Sequence, residues 1–292
     1  MQDKGKSNVE YTKTADADHD SDASSLIQDD ASSSLSYRPF PAAMKIYYQW
    51  NLAGIKVFHV CGETERDRLF AVEVHTGHSM SGPLGARPGL HLYNGPKTKD
   101  SLLAATGSES LFGDYALNNN SRIFLPGHRT GDFVCEMMRV HTTPDNTVAF
   151  RFSIEVGLGE KMRREAFEWK KIKKNEREDN THNGGFKLFW LHRGPEQGYP
   201  DGDSGIQGSS SEGGDREAVA VMSWRSFLTS PKHPFDMAFI GSGLSETMGE
   251  RWRLMVLMTV LRVWYMNLFG KTHRAPVALG DKVGDKEKVA HQ

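Results

Sequence analysis

The residues best suited to chemistry in this chain are its cations. Between positions 161 and 177 lie Lys161, Arg163, Arg164, Lys170, Lys171, Lys173, Lys174 and Arg177, set against Glu165, Glu168 and Glu176 and beside the aromatic Phe167 and Trp169. Ammonium and guanidinium groups at this density can hold a multiply charged anion, and each basic residue close to an anionic leaflet contributes about 1 kcal/mol. A second pair, Lys97 and Lys99, stands two residues apart in a turn signalled by Asn94, Gly95 and Pro96. The lipid-binding candidates are therefore Lys97, Lys99, Arg163, Arg164, Lys170, Lys171, Lys173 and Lys174. The competing reading of both groups is a solvated strand edge or loop, where lysine commonly guards against aggregation.

Other chemistries have less to rest on. His75 and His78 are three apart in HTGH, but Gly77 favours a turn over a helix face. His59, His91, His128 and His141 are scattered, and no HExxH pattern occurs, so no metal and no cofactor are expected. There is no GxSxG elbow and no Walker loop, and Cys61 and Cys135 both sit in apolar runs that read as core. Gly241, Ser242 and Gly243 resemble a phosphate loop only loosely. Their plainer reading is a turn into a helix, with Ser245 or Thr247 as its N-cap. No catalytic residue is expected, and the chain reads as non-enzymatic. Lys+Arg total 36 against 37 Asp+Glu, a net charge of −1, which argues with the missing recognition motifs against a nucleic-acid partner.

The elements that must position these groups are mostly strands. Thirteen short runs recur between turn residues: 45–49, 55–61, 68–75, 89–93, 101–106, 115–117, 122–125, 132–141, 147–156, 165–170, 185–192, 218–224 and 236–240. The clearest alternation sends Phe150, Phe152, Ile154 and Val156 one way and Arg151, Ser153 and Glu155 the other. Asp145 and Asn146 after Pro144 mark a hairpin between two long strands. A dozen short strands in a row imply an antiparallel barrel or sandwich.

One segment breaks the strand pattern. Residues 249–270 read as a helix that stops at Gly270 and is apolar on nearly every face from 254 to 269, with Thr259, Arg262 and Asn267 as exceptions. Such a helix is buried in a large core or inserted in a membrane. Its apolar run falls short of the roughly 20 residues a bilayer needs, and Arg262 near the middle would cost roughly 2.5–3.5 kcal/mol there. A buried helix is expected and no transmembrane span, with a C-terminal anchor as the alternative.

Residues 1–36 hold eight acidic residues and three lysines and should be a disordered Ser/Asp-rich tail able to contact protein partners. Residues 193–216 read as a Gly/Ser-rich loop inserted in a single domain over 37–270, and 271–292 as a charged flexible tail. The first residues lack an apolar stretch of the secretory kind, and with two cysteines the expectation is a reduced, cytoplasmic setting.

The motifs LYNGPKTKDSLLAATG (92–107), FEWKK (167–171), GFKLFWL (185–191) and FIGSGLSETMGERWRLMVLMTVLRVWYMN (239–267) resemble the tubby C-terminal-like superfamily. That superfamily includes fungal tubby C-terminal-like, LURP-one-related and phospholipid scramblase-like proteins, and the likeness spans about 44–269. The resemblance implies a mostly β fold, an antiparallel β-barrel of about twelve strands enclosing a C-terminal apolar central α-helix. It also implies a binding module, peripheral at membranes, for phosphoinositide or other anionic phospholipid head groups. A scaffold or regulatory protein-interaction role is the alternative, and a membrane-anchored scramblase-like role a remoter one.

Overall fold

The structure is a computed structural model that describes residues 38–48, 56–110, 119–127, 129, 131–178, 181, 183–191, 216–226, 228–272 and 277. The acidic segment 1–36, the run 115–117, His128, nearly all of 193–216 and most of 271–292 lie outside the described residues. Twelve strands follow one another: β1 (Ala43–Tyr48), β2 (Val57–Cys61), β3 (Arg68–His75), β4 (Gly89–Tyr93), β5 (Leu102–Ser108) and β6 (Ser121–Pro126). Then come β7 (Phe133–Thr142), β8 (Val148–Val156), β9 (Arg163–Lys171), β10 (Gly185–Leu191), β11 (Glu217–Trp224) and β12 (Phe235–Phe239), and last the helix α1 (Gly249–Leu268). Each strand pairs antiparallel with the next, and β1 pairs β12 to close the barrel. The expected architecture is the observed one.

Closure leaves a space that needs filling. Twelve strands about 4.8 Å apart and tilted about 40° enclose a radius of about 12 Å, room for one helix and a layer of side chains. Helix α1 occupies it. Leu254 to Met266 are all buried, and Trp252 with them. Trp252 packs on Phe167 and Phe239, and Trp264 on Tyr48, Phe58 and Phe235. The helix therefore touches strands on opposite sides of the barrel. The period-2 strands supply the other half of the core: Phe150, Phe152 and Ile154 face in while Arg151 is exposed. Each apolar side chain so buried stabilises by about 1.5–3 kcal/mol.

The polar exceptions along the helix are satisfied inside the barrel. Thr259 accepts a hydrogen bond from Trp169 Nε1 at 3.0 Å and donates to the Val256 carbonyl. Arg262, 4% exposed, donates from Nε to Ser121 Oγ at 2.9 Å and lies 5.8 Å from the Tyr265 ring. Gly270 ends the helix as its position predicts. With φ at 68°, it donates to the Asn267 carbonyl while Lys271 donates to that of Met266, a Schellman pair. The start differs from expectation: Ser245 accepts from the Thr247 N–H and caps a 3-10 turn (Glu246–Met248), whereas α1 begins after Met248 with no side-chain cap. No helix among the described residues is long and apolar enough to cross a membrane.

Candidate anion-binding surface

Strand direction decides which cations can act together. The turns β2–β3, β4–β5, β6–β7 and β8–β9 lie at the end of the barrel where α1 enters, and the turns β1–β2, β3–β4, β5–β6, β7–β8, β9–β10 and β11–β12 lie where it leaves. Strand β9 runs from the entry end to the exit end, so Arg163 and Lys171 are about 26 Å apart at about 3.3 Å per residue. The run of basic residues read in the sequence is therefore two groups. Lys97, Lys99, Arg163 and Arg164 belong to the entry end, and Lys170, Lys171, Lys173 and Lys174 to the exit end.

Entry-end charge is largely consumed internally. Arg163 pairs with Glu165 at 2.5 Å and stacks over Trp190. Arg164 pairs with buried Glu136 and with Glu155, and Arg251 from α1 approaches both carboxylates at 3.6 and 3.9 Å. These four residues lie where β7 and β8 part, beyond the last ladder pair Arg139–Arg151. Their role is to hold the seam and the helix together. Lys97 and Lys99 are exposed, and Asp100 accepts the Lys97 backbone N–H at 2.8 Å. Among the described residues the entry-end segments nearly balance: Arg38, Arg66, Lys97, Lys99, Arg129, Lys161 and Arg216 meet Glu63, Glu65, Asp67, Asp100, Asp132 and Glu246.

The exit end is basic. Among the described residues its connections carry Lys56, Arg87, Lys173, Lys174, Arg177, Arg225, Lys232 and Lys271 against Glu109, Asp145, Glu176 and Glu178. Lys173 is tied to Asp145 at 2.8 Å and Lys187 to Glu178 at 2.9 Å, while Lys171 and Lys174 are exposed. Exposed apolar side chains accompany them: Leu228 is 91% exposed, and Leu268 and Phe269 at the end of α1 are half exposed.

Sequence reading missed two cations on the outer wall near this end. Arg139 on β7 and Arg151 on β8 are direct cross-strand partners, and both are exposed. The signal was present: they stand at mirror positions around Asp145, the centre of the recognised hairpin. Thr143 closes that hairpin by donating its N–H to the Thr147 carbonyl at 2.8 Å, with Asn146 at φ 58°. Across β8–β9, Arg151 stands opposite Glu168, yet that carboxylate is held by His141 at 3.3 Å and Lys170 at 3.1 Å. Burial opposes its ionisation, but these two partners bring its pKa down to about 2. On the next strand Lys187 faces Lys170.

The remaining candidates resolve into structural roles. His75 does not meet His78. It stacks on His91 with ring centroids 4.5 Å apart, both 4% exposed, and its Nε2 donates to the Gly85 carbonyl at 2.8 Å. His91 Nε2 has no hydrogen-bond partner among the described residues, and burial followed by the neighbouring His75 pushes its pKa down to about 4. No three His, Cys, Asp or Glu side chains gather as a metal set among the described residues. Cys61 is buried as expected, but Cys135 is exposed, a correction that follows from β7 alternation: Glu136 and Met138 take the inward positions. The turn at Gly241 is filled from within the fold, because Glu217 accepts the Ser242 N–H at 2.7 Å and its hydroxyl at 2.8 Å where an anion would sit. The chain matches no protein-family model, no curated protein and no solved structure.

Proposed function

We propose that this chain is a non-enzymatic, tubby-like binding module that docks peripherally on anionic lipid surfaces from the cytoplasmic side, with the exit end of its barrel toward the membrane. The observation that carries the reading is the charge asymmetry between the two barrel ends. Among the described residues, exit-end connections hold eight basic against four acidic residues, beside exposed Leu228, Leu268 and Phe269, whereas the described entry-end connections nearly balance. The excess of four charges among the described residues, at about 1 kcal/mol each, gives weak, reversible attachment that salt screens. The tubby-like assignment is supported by the architecture, a closed twelve-strand barrel around one C-terminal helix. The interior is filled by α1, so recognition falls to the outside. Liposome flotation tests the reading: attachment that requires anionic lipid and is lost at high salt supports it, and no flotation with any anionic lipid at low salt refutes it.

A further inference from the structure

The outer wall presents a cation pair that the fold leaves unneutralised. Arg139 and Arg151 are Cα partners across β7–β8, and neither guanidinium makes a hydrogen bond, ion pair or ring contact among the described residues. Directly opposite side chains start about 5 Å apart, and like charges so placed repel. The carboxylate beside them, Glu168, is committed to His141 and Lys170. Two guanidinium forks therefore stand free on one face, with Lys170 and His141 next to them.

We propose that Arg139 and Arg151 form a binding site for a dianionic phosphomonoester. Such a group has three terminal oxygens and two charges. One guanidinium takes two oxygens in a bidentate fork, the second takes the third, and the dianion relieves the repulsion between the pair. A carboxylate has only two oxygens and one charge, and satisfies one arginine. On a membrane the ligand is the phosphorylated head group of an anionic lipid, an identification that rests on the attachment reading above; the phosphate site itself does not.

The test uses the full chain and two kinds of probe. Inositol trisphosphate is titrated by calorimetry. Phosphatidylcholine vesicles are doped with phosphatidylinositol bisphosphate or, at matched charge, with phosphatidylserine. Arg139→Gln and Arg151→Gln should each weaken trisphosphate binding about tenfold or more, and the double variant should abolish it. Arg139→Lys and Arg151→Lys keep the charge, lose the fork, and should fall between. Both positions are exposed, so the melting temperature should stay close to that of the parent in each variant, and lost binding is then not unfolding. Trisphosphate binding that is absent, or unchanged in the double Gln variant, overturns the site. If soluble binding depends on the pair but bisphosphate vesicles bind no better than phosphatidylserine, the site stands and its lipid identification falls. Pair-dependent trisphosphate binding with no attachment to any vesicle upholds the site and refutes the membrane reading instead.

Discussion

Arg139 and Arg151 illustrate how a residue's role depends on a register that single positions do not reveal. Each reads in isolation as an ordinary exposed strand cation; only the hairpin register makes them opposite. Repulsion across this pair has a stability signature. Arg139→Glu should convert it into an attractive pair and raise the unfolding free energy by roughly 0.5–1 kcal/mol, read by denaturant titration. His91 supplies a pH signature. Its pKa is pushed down from the ordinary 6.5 to about 4 by burial and by His75, with Glu73 opposing. Between those pH values the unfolded chain binds a proton that the folded chain does not, so stability falls as pH drops from about 6.5 toward about 4. The slope is at most about 1.4 kcal/mol per pH unit, and His91→Phe should flatten it in urea titrations across that range. Neither HTGH nor any other spacing announced this pair, because His75 and His91 come together only through β3–β4 pairing and the turn that folds back over them.

Elements were far more legible than sites. Period-2 alternation located the strands, and Asp145 with Asn146 located the longest hairpin, because burial on one face imposes the pattern directly. The helix was legible for the complementary reason: a segment apolar on nearly every face must be surrounded, and its apolar run was too short for a bilayer. What escaped was the sharing of polar groups between helix and wall. Thr259 and Arg262 look like flaws in an apolar run until Trp169 and Ser121 meet them. Trp264→Ala should cost about 3–5 kcal/mol by opening a cavity among Tyr48, Phe58 and Phe235, measurable as a lower denaturant midpoint. Deleting the chain after residue 248 should abolish cooperative unfolding altogether, whereas a membrane anchor could be removed without loss of the fold. At the other end of α1, Gly270→Ala forces a side chain into φ 68° and should cost about 1 kcal/mol.

At the scale of the whole molecule, charge segregation is the property that linear reading could not deliver. The run from Lys161 to Arg177 is one cluster in sequence, but β9 carries its halves to opposite ends of a barrel, about 26 Å apart. Arg163 and Arg164 then become parts of ion pairs that close the seam, while Lys171 and Lys174 join the basic pole. The account's central claim is that this pole, and not the entry end, meets an anionic surface. The most direct measurement compares flotation of the parent with two charge-reversed variants, Lys171→Glu with Lys174→Glu and Lys97→Glu with Lys99→Glu, on phosphatidylserine vesicles at low salt. Each exit-end reversal should remove about 2 kcal/mol of attraction, so the first variant should lose most of its attachment while the second floats like the parent. Loss in the Lys97/Lys99 variant with retention in the Lys171/Lys174 variant would contradict the account.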